Sequence, residues 1–504
     1  MLTTDLLRTA KIFSIALLAV LPTLGAAALP NIVYILADDL GYGDVQCLAP
    51  ETSKIATPKM DAIAKAGIVF TNAHSSSSVC TPTRYSVLTG RYNWRTHLQE
   101  HVIWGYSPPL IAEGRATVPS VLRDLGYATA CIGKWHIGMF LPTTDGVLPK
   151  GRSPKAVNIV WDGVIEQGPI DRGFDHFYGI SASLDMAPYI YIEDDRFVGE
   201  MPEGRTRQPG FDSSDVLAEI GRKTVAHIEK QSADKPFFVY VPLTSPHTPI
   251  VPSAEWKVKS PHGKYGDFVM ETDHVIGLIA DAIEASDFGD NTLLIVTSDN
   301  GCSRAAGISK LGRDHGHYPS AQFRGSKADL WDGGHRVPFL VRWPAKVKPG
   351  GSTDELICLT DLMATAAELS GAKLTDNAGE DSVSFAPALE GKPITSDRAG
   401  VVHHSIDGFF AYRKGPWKLL LSRGSAGWTA PKEASFEDDV PDGQLYQMDN
   451  DPGEQNNLFQ ENPEIVAELL KQLESDVTRG RSTSGPDQPN DVDEIVLWKN
   501  KKAH

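Results

Sequence analysis

Four segments of the chain share one design, in which a long apolar, β-branched run is followed at once by polar residues. They are NIVYILADD (31–39), YATACIGKWH (127–136), PFFVYVPLTSPH (236–247) and NTLLIVTSDN (291–300). Continuous apolar runs of this length suit strands that are buried on both faces, as in parallel sheets. Helical patterns lie between them, for example at 117–126 and 270–286. The alternation predicts an α/β fold with a large, mixed, mostly parallel sheet flanked by helices.

Polar side chains follow each of the four predicted strands. In open α/β sheets, ligands bind in the crevice beyond the carboxyl ends of the strands. The residues that the four runs deliver to this edge combine acids, an amide, a lysine and imidazoles: Asp38, Asp39, Lys134, His136, His247, Asp299 and Asn300. One such coincidence has little weight, because loops after strands are often polar. Four that converge on these residue types predict a functional site at that edge.

The strand–helix pattern weakens after about residue 370. Residues 373–399 are small and polar, which predicts a linker or an excursion over the surface. Short strand-like segments follow, and an amphipathic helix begins at Asn462 and Pro463. We therefore expect a signal peptide at 1–28, a catalytic domain at 29–395, and a smaller C-terminal domain at 396–504. The small domain is expected to hold an antiparallel sheet, a helix and a tail.

The N-terminus has the pattern of an export signal. Arg8 and Lys11 precede an apolar run at 12–24, and three alanines at 26–28 offer a cleavage site. The run is too short for a transmembrane helix, so we expect no stable membrane insertion. The chain contains no Asn-x-Ser/Thr acceptor, which favours a bacterial periplasmic or secreted protein. A net charge of −16 argues against nucleic acid as a partner.

The five cysteines are an odd number for an exported protein. At least one is therefore an unpaired thiol, or is no longer a thiol. If Cys80 stands apart, the other four allow three disulfide connectivities, and the sequence does not choose among them. These four are Cys47, Cys131, Cys302 and Cys358.

Cys80 lies in the segment HSSSSVCTPTRYSVLTGRYNW, at 74–94. Pro82 is tolerated in the first turn of a helix and Gly90 suits its end, so the segment predicts a helix that begins beside Cys80. The helix N-terminus and Arg84 on its first turn favour negative charge, so we expect a lowered thiol pKa. A buried or disulfide-bonded cysteine is the alternative. The serines at 75–78 and the arginine make an apolar site less suitable.

The segment CTPTRYSVLTG resembles the signature of the type I sulfatases, a family of the alkaline phosphatase superfamily. Further segments resemble the same family in order along the chain, including NIVYILADDLGYGDV, GYATACIGKWHIG, TSPHTP, TSDNG, FRGSKADLWDGGHRVPFLVRWP and LYQMDNDPGEQNNL. The resemblance implies an alkaline-phosphatase-like fold. It also implies that a maturation enzyme oxidises Cys80 to formylglycine, an aldehyde that is hydrated in water.

The resemblance implies one calcium ion at the site. Its ligands would be Asp38, Asp39, Asp299, Asn300 and the modified residue 80. Hard oxygen ligands without imidazole suit Ca²⁺, and Mg²⁺ is possible. Paired acids after a strand often only cap a helix, but here a second acidic segment and the cysteine motif accompany them.

The family's catalytic roles map onto residues that this chain retains. The resemblance implies that the formylglycine hydrate attacks sulfur, with Arg84 orienting it and Lys134 and Lys327 clamping the sulfate oxygens. His247 would protonate the leaving oxygen as a general acid. His136 would accept the proton of the second hydroxyl as sulfate leaves. The family more often has glycine at the position of Ser326, but the lysine beside it is kept.

Substrate contacts are less well defined by the sequence. Ser183 matches a serine that touches sulfate in the family, and Asp185 can accept hydrogen bonds from sugar hydroxyls. Three histidines flank Lys327 and are further candidates for contacts to an anionic glycan: His315, His317 and His335. We therefore expect an exported sulfatase acting on a sulfated carbohydrate, with galactose- or N-acetylgalactosamine-type units of a polysaccharide or glycosaminoglycan as the preferred class. The sulfated hydroxyl, exo or endo action and the oligomeric state stay open.

Three other functions compete with this one. A phosphomonoesterase or phosphodiesterase of the same superfamily would use two zinc ions, but Asn300 stands where those enzymes commonly have histidine, and asparagine is a poor zinc ligand. A non-catalytic protein that binds sulfated glycans becomes the better hypothesis if Cys80 is never oxidised. An extracellular domain with a purely structural calcium ion would not need the lysines and histidines at the same strand ends.

Overall fold

A computed structural model describes residues 29–499 except 153, 156, 396 and 437–439. The expected signal peptide at 1–28 lies outside the described residues. The strands are β1 (Asn31–Ala37), β2 (Ile68–Phe70), β3 (Ala73–His74), β4 (Ala128–Lys134), β5 (His176–Ile180), β6 (Ile192–Glu193), β7 (Arg196–Phe197), β8 (Phe237–Pro242), β9 (Thr292–Ser298), β10 (Phe339–Arg342), β11 (Gly351–Thr353), β12 (Ile357–Cys358), β13 (Val401–His404), β14 (Phe410–Lys414), β15 (Trp417–Leu420) and β16 (Gln444–Gln447). The α-helices are α1 (Pro58–Ala66), α2 (Cys80–Thr89), α3 (Val118–Asp124), α4 (Val216–Ile228), α5 (Gly263–Glu284), α6 (Ile308–His315), α7 (Asp332–His335), α8 (Leu362–Ser370), α9 (Ala386–Leu389) and α10 (Pro463–Thr478).

A ten-stranded sheet organises the larger part of the chain. Its strand order is β11-β2-β10-β9-β1-β8-β4-β5-β6-β7. The four apolar runs of the sequence form the adjacent central strands β9, β1, β8 and β4, and these are mutually parallel, as predicted. β5 extends the parallel set beyond β4, whereas β10 and β6 pair antiparallel beside it. The predicted α/β fold is confirmed.

Helices cover both faces of this sheet, because its central strands are apolar on both sides. On one face, α1, α4 and α5 pack against side chains such as Val33, Ile35 and Val239. On the other face, α2, α3 and α8 pack against side chains such as Tyr34 and Tyr240. The helix predicted at 117–126 is α3, and the one predicted at 270–286 is the second half of the longer α5.

A separate four-stranded sheet forms near the C-terminus, as expected. Its order is β13-β14-β15-β16, every pair is antiparallel, and α10 packs against it. Lys418 of β15 is fully buried and pairs with Asp332 of the larger part and with Glu454. The boundary at 395/396 stays a prediction, although the small sheet begins at Val401.

Residues 373–399 are not a linker, which corrects the expectation from their composition. Phe385 is buried in the main core against Phe70 and Phe339. The carboxylate of Asp381 is buried and forms an ion pair with buried Arg95. Phe385 and Asp381 thus anchor the segment in the packed structure, whereas Lys392 and Glu390 pair with each other at the surface.

Across the part of the chain that the structure describes, no helix combines the length and the apolar character needed to cross a membrane.

Candidate active site

The carboxyl ends of the five parallel strands deliver buried polar residues to one place. β1 is followed by Asp38 and Asp39, and β9 by Asp299 and Asn300. β4 ends at Lys134 and precedes His136, β8 precedes His247, and β5 precedes Ser183 and Asp185. Apart from Asp185, which is partly exposed, all of these side chains are buried. The convergence that the sequence predicted is therefore present in the fold.

Helix α2 brings Cys80 and Arg84 to the same place. The helix runs from Cys80 to Thr89 and is capped by Gly90, whose left-handed conformation (φ 64°) glycine adopts easily. The Arg84 side chain is fully buried; its Nε and Nη2 donate to Oδ2 of Asp299 at 3.0 and 2.7 Å, and its Nη1 donates to the Lys134 carbonyl at 3.1 Å. The first turn of α2 is thereby fixed to the ends of β4 and β9.

The expected lowering of the Cys80 pKa is not found. Burial raises the pKa of the thiol, and this outweighs the opposing effect of the Lys134 and Lys327 charges. An unmodified Cys80 would therefore be a neutral thiol at neutral pH, and a poor nucleophile. Four charged side chains act electrostatically on Cys80, so it lies within a cluster of charged residues. They are Lys134, Lys327, Asp38 and Asp299.

Three carboxylates and three cations share the cluster. Lys134 Nζ lies 2.5 Å from Oδ2 of Asp38, and Lys327 Nζ lies 2.5 Å from Oδ1 of Asp39. Arg84 and Asp299 form the third pair. Because these charges balance, a divalent cation at the carboxylates would leave the site with a net charge of about +2, which suits an anionic ester.

Three buried oxygens of the predicted metal ligands have no hydrogen-bond partner among the described residues. They are Oδ1 of Asp38, Oδ2 of Asp39 and Oδ1 of Asn300. A buried acceptor without a partner is costly, and native structures seldom leave three together. Oxygen ligands without thiolate suit Ca²⁺ or Mg²⁺. The residues present therefore fit a hard divalent cation.

The pKa shifts of two carboxyls agree with a cation site. Burial raises the pKa of Asp38, but Lys134, His247 and Arg84 outweigh it, so the pKa lies well below its usual range. Burial and the nearby charge of Asp38 raise the pKa of Asp299 above its usual range despite Arg84. If Asp38 and Asp299 held a cation, its positive charge would offset the repulsion between them and both would be ionised.

The two candidate proton-transfer histidines present different ring nitrogens. His136 Nε2 lies 2.8 Å from the Ile103 carbonyl, which can only accept, so Nδ1 of the neutral ring is a free acceptor; this Nδ1 is buried and has no partner among the described residues. His247 Nδ1 lies 2.5 Å from the Thr248 carbonyl, which leaves Nε2 facing Oδ2 of Asp39 at 3.7 Å. Burial lowers the pKa of both rings.

The two other predicted contacts from the β5 end lie beside His247. Ser183 Oγ is 3.0 Å from His247 Nδ1. The carboxylate of Asp185 forms an ion pair with Arg152, whose side chain is about half exposed. Burial raises the pKa of Asp185, but the charges of His247 and Lys134 outweigh it, so the pKa is lowered. Sequence reasoning missed Arg152, because a lone arginine in a Gly-, Pro- and Lys-containing loop gives no distinguishing signal.

The structure does not bring the three flanking histidines into the cluster by any described contact. Both ring nitrogens of His317 are used by protein groups, with Nε2 at 2.9 Å from Asp44 Oδ1 and Nδ1 accepting from the Lys54 amide. His335 is stacked on His403 in a buried group of histidines. His315 lies at the end of α6, edge to face with His262. Their expected role in sugar binding therefore has no geometric support.

All five cysteines are free thiols in the described chain, so none of the three possible connectivities is formed. Cys47 is exposed and the other four are buried.

Comparisons with known proteins agree with this geometry. A sequence model of the sulfatase family matches residues 30–372, and one described as the C-terminal region of N-sulphoglucosamine sulphohydrolase matches residues 326–482. The chain is 33% identical to an N-acetylgalactosamine-6-O-sulfatase of Bacteroides thetaiotaomicron, over 89% of this chain and 93% of that protein. It is 31% identical to human arylsulfatase A, over 91% of this chain and 89% of that protein.

A solved structure shares the whole architecture. It comes from work on the metabolism of multiple glycosaminoglycans by Bacteroides thetaiotaomicron and superposes with a TM-score of 0.77 at 31% identity, covering 90% of this chain and all of that one. Sequence and structure thus match over most of the chain, and the second family model also covers the small C-terminal sheet. The chain belongs to the sulfatase family and is a sulfuric ester hydrolase.

Proposed function

We propose that the protein is an exported, calcium- and formylglycine-dependent sulfatase that acts on a sulfated carbohydrate. The observation that carries the proposal is the set of three buried, unpartnered oxygens on Asp38, Asp39 and Asn300, next to Cys80 and three cations. The metal-binding oxygens and the modifiable cysteine are both needed for this chemistry, and they occupy one cluster.

The chain's own residues divide the work as follows. With residue 80 as formylglycine and Ca²⁺ bound by Asp38, Asp39, Asp299 and Asn300, the site supplies a hydrated aldehyde as nucleophile next to a Lewis acid. Lys134 and Lys327 then hold the sulfate oxygens and stabilise the charge that develops on them. Because a substrate sulfate competes with Asp38 and Asp39 for these lysines, binding of the cation frees the ammonium groups for substrate.

His247 and His136 move protons in this proposal. Nε2 of His247 faces the cluster, and the Thr248 carbonyl holds the proton of Nδ1. The ring therefore donates a proton to the leaving alcohol from Nε2 only as an imidazolium, a form that the Asp38 and Asp39 charges favour. Nδ1 of His136 is a buried free acceptor, which suits a base that removes a proton from residue 80 when sulfate leaves. Arg84 keeps residue 80 and Asp299 in fixed relation, because it is bonded to Asp299 from the first turn of the same helix.

The substrate class we propose is a galactose- or N-acetylgalactosamine-type unit of a polysaccharide or glycosaminoglycan. The similarity to the N-acetylgalactosamine-6-O-sulfatase supports this class. The ion pair of Asp185 with half-exposed Arg152 provides an acceptor and a donor for sugar hydroxyls next to His247. Export, a bacterial periplasmic or secreted location and modification by a maturation enzyme follow from the N-terminal pattern and from Cys80, and are part of the proposal.

The first experiment is mass spectrometry of the tryptic peptide that contains residue 80, from protein made in its native host. Thiol-to-aldehyde conversion is expected, and an unmodified thiol would overturn the mechanism and favour a glycan-binding protein. The converted enzyme is then assayed, with and without a calcium chelator, on 6-sulfated and 4-sulfated N-acetylgalactosamine and on galactose 6-sulfate. Loss of turnover on chelation and recovery with Ca²⁺ are expected, whereas full turnover without metal would overturn the metal assignment.

A further inference from the structure

A fully buried carboxylate lies next to the candidate metal centre without belonging to it. Asp44 ends a short 3-10 turn, Tyr42–Asp44, five residues after Asp39. Its Oδ2 accepts from the Gly41 amide at 2.7 Å and from the Tyr265 hydroxyl at 2.5 Å, and its Oδ1 accepts from His317 Nε2 at 2.9 Å. Three donors hold this one buried carboxylate rigidly in place.

Both ring nitrogens of His317 are used within this group of hydrogen bonds. Its Nδ1 accepts from the Lys54 amide, so in the neutral ring the proton is on Nε2, which donates to Asp44. The side chain is fully buried and has no nitrogen left for a ligand. His317 is therefore a support for Asp44 and not a sugar contact.

The backbone just before the turn that Asp44 holds is strained at Asp39. Asp39 has φ 65°, in the left-handed region that non-glycine residues seldom adopt. Two residues later, the Gly41 amide is fixed by Asp44, and a side chain on Gly41 would meet the Pro319 carbonyl oxygen at 2.2 Å. The close approach of these two backbones, together with the bond to Asp44, keeps the Asp38–Asp39 turn in place against its strain.

The same carboxylate is linked to the other loop that carries metal ligands. Tyr265 lies on α5, and its hydroxyl is 2.5 Å from Asp44 Oδ2 and 3.1 Å from Sγ of Cys302. Cys302 comes two residues after Asn300. One tyrosine hydroxyl therefore connects the loop after β1 with the loop after β9.

From these contacts we infer that Asp44 and Tyr265 are positioning residues that preorganise the cation site by fixing its two ligand loops to each other. The inference rests on the proposed function, because it presumes that the cation binds at Asp38, Asp39, Asp299 and Asn300. Neither residue touches the reacting atoms. Their effect is on the affinity for the cation, since partners behind metal ligands typically contribute 10- to 100-fold to affinity.

The test is binding of Ca²⁺ alone to metal-free protein, measured by titration calorimetry for wild type and for Tyr265→Phe. The substitution removes one hydroxyl and leaves the ring in place, so the chain should fold. We expect the Kd for Ca²⁺ to rise about tenfold. Tyr178→Phe is the matched control, because it also removes a hydroxyl bonded to a carboxylate, that of Glu219, and lies on β5, three strands from β1 in the sheet. Its Kd should equal that of wild type.

Three further variants separate positioning from general stability. Asp44→Asn should raise the Kd for Ca²⁺ further than Tyr265→Phe, since it disturbs all three donors. His317→Gln retains an amide donor and should have a smaller effect than His317→Ala. A merely structural role would lower Tm by the same amount with and without Ca²⁺; a positioning role makes the rise in Tm on adding Ca²⁺ smaller.

The outcomes distinguish this inference from the proposed function. If wild type binds no Ca²⁺, the proposed metal site itself is wrong. If wild type binds Ca²⁺ and Tyr265→Phe and Asp44→Asn bind it with unchanged Kd, the metal site stands and the positioning role is overturned.

Discussion

Arg84 donates two hydrogen bonds to one carboxylate oxygen of Asp299, and both side chains are fully buried. The pair joins the first turn of the helix that begins at Cys80 to a predicted metal ligand at the end of β9. The resemblance implied only that Arg84 orients the nucleophile. The structure shows in addition that the arginine fixes the distance between that helix and the carboxylate.

Arg84→Lys should lower kcat/KM about 100-fold or more, because an ammonium keeps the charge but cannot bond both Asp299 and the Lys134 carbonyl. Steady-state kinetics on one sulfate ester at saturating Ca²⁺ measures the effect. Arg91→Lys is the control, since Arg91 is equally buried but pairs with Asp491 and Glu380 away from the strand ends. An equal loss of activity in both variants would mean that burial, and not the bond to Asp299, explains the result.

His247→Gln should reduce turnover of a sulfated sugar far more than turnover of 4-nitrophenyl sulfate. A sugar alkoxide is a poor leaving group and would need a proton from His247, the proposed general acid, worth about 10²- to 10⁴-fold, whereas nitrophenolate leaves without it. The measurement is kcat for both substrates with wild type and variant. Similar losses on the two substrates would contradict a general-acid role and indicate that the imidazole only holds Ser183 or Asp39 in place.

Asp185→Asn and Arg152→Ala should raise KM for a sulfated saccharide about tenfold, with little change for the aryl ester, because only the sugar has hydroxyls to bond to this pair. Arg196→Ala removes a similarly exposed arginine that donates to the Asp162 carbonyl and pairs with Asp195, and it serves as the control. If KM rises equally for both substrates, the pair supports the site in general and does not select the sugar.

The sheet, and the meeting of the polar residues at one of its edges, could be predicted from the sequence because both depend on local patterns. Apolar runs of strand length identify β1, β4, β8 and β9, and the polar residues just after them meet at one edge for topological reasons. The helix at Cys80 follows from Pro82 and Gly90, which act on their immediate neighbours.

What the sequence did not predict depends on contacts between distant residues. The thiol pKa of Cys80 is raised because burial outweighs the charges of Lys134 and Lys327, and burial of one side chain is not visible in its neighbours along the chain. Residues 373–399 have the composition of a linker, yet Phe385 joins the core and Asp381 pairs with Arg95. The ring of His317 is hydrogen-bonded to Asp44, which is 273 residues away, and no pattern of spacing in the sequence indicates this pair.

A second group of buried histidines makes the fold sensitive to acid. His335 stacks on His403 with ring centroids 3.8 Å apart, and Nδ1 of His74 lies 3.0 Å from Nδ1 of His335. Burial, with a smaller contribution from the Lys418 ammonium, lowers the pKa of His403 to about 3. In the unfolded chain a histidine takes up its proton near pH 6.5. Between these two values the unfolded state binds one proton more than the folded state at this residue.

The free energy of unfolding that depends on His403 is therefore fully present above about pH 6.5 and falls at roughly 1.4 kcal/mol per pH unit as the pH drops towards 3. His403→Asn keeps a donor for the Ser75 carbonyl but cannot titrate. The free energy of unfolding of this variant, measured with urea from pH 4.5 to 7.5, should be lower than that of wild type at neutral pH. As the pH falls, the difference between the two should shrink by about 1.4 kcal/mol per pH unit. His97→Asn, at an exposed position, should leave the slope unchanged. Parallel stability curves for wild type and His403→Asn would show that the ring takes up a proton as readily in the folded state as in the unfolded chain. That result would contradict the assignment of His403 as a neutral residue of the core.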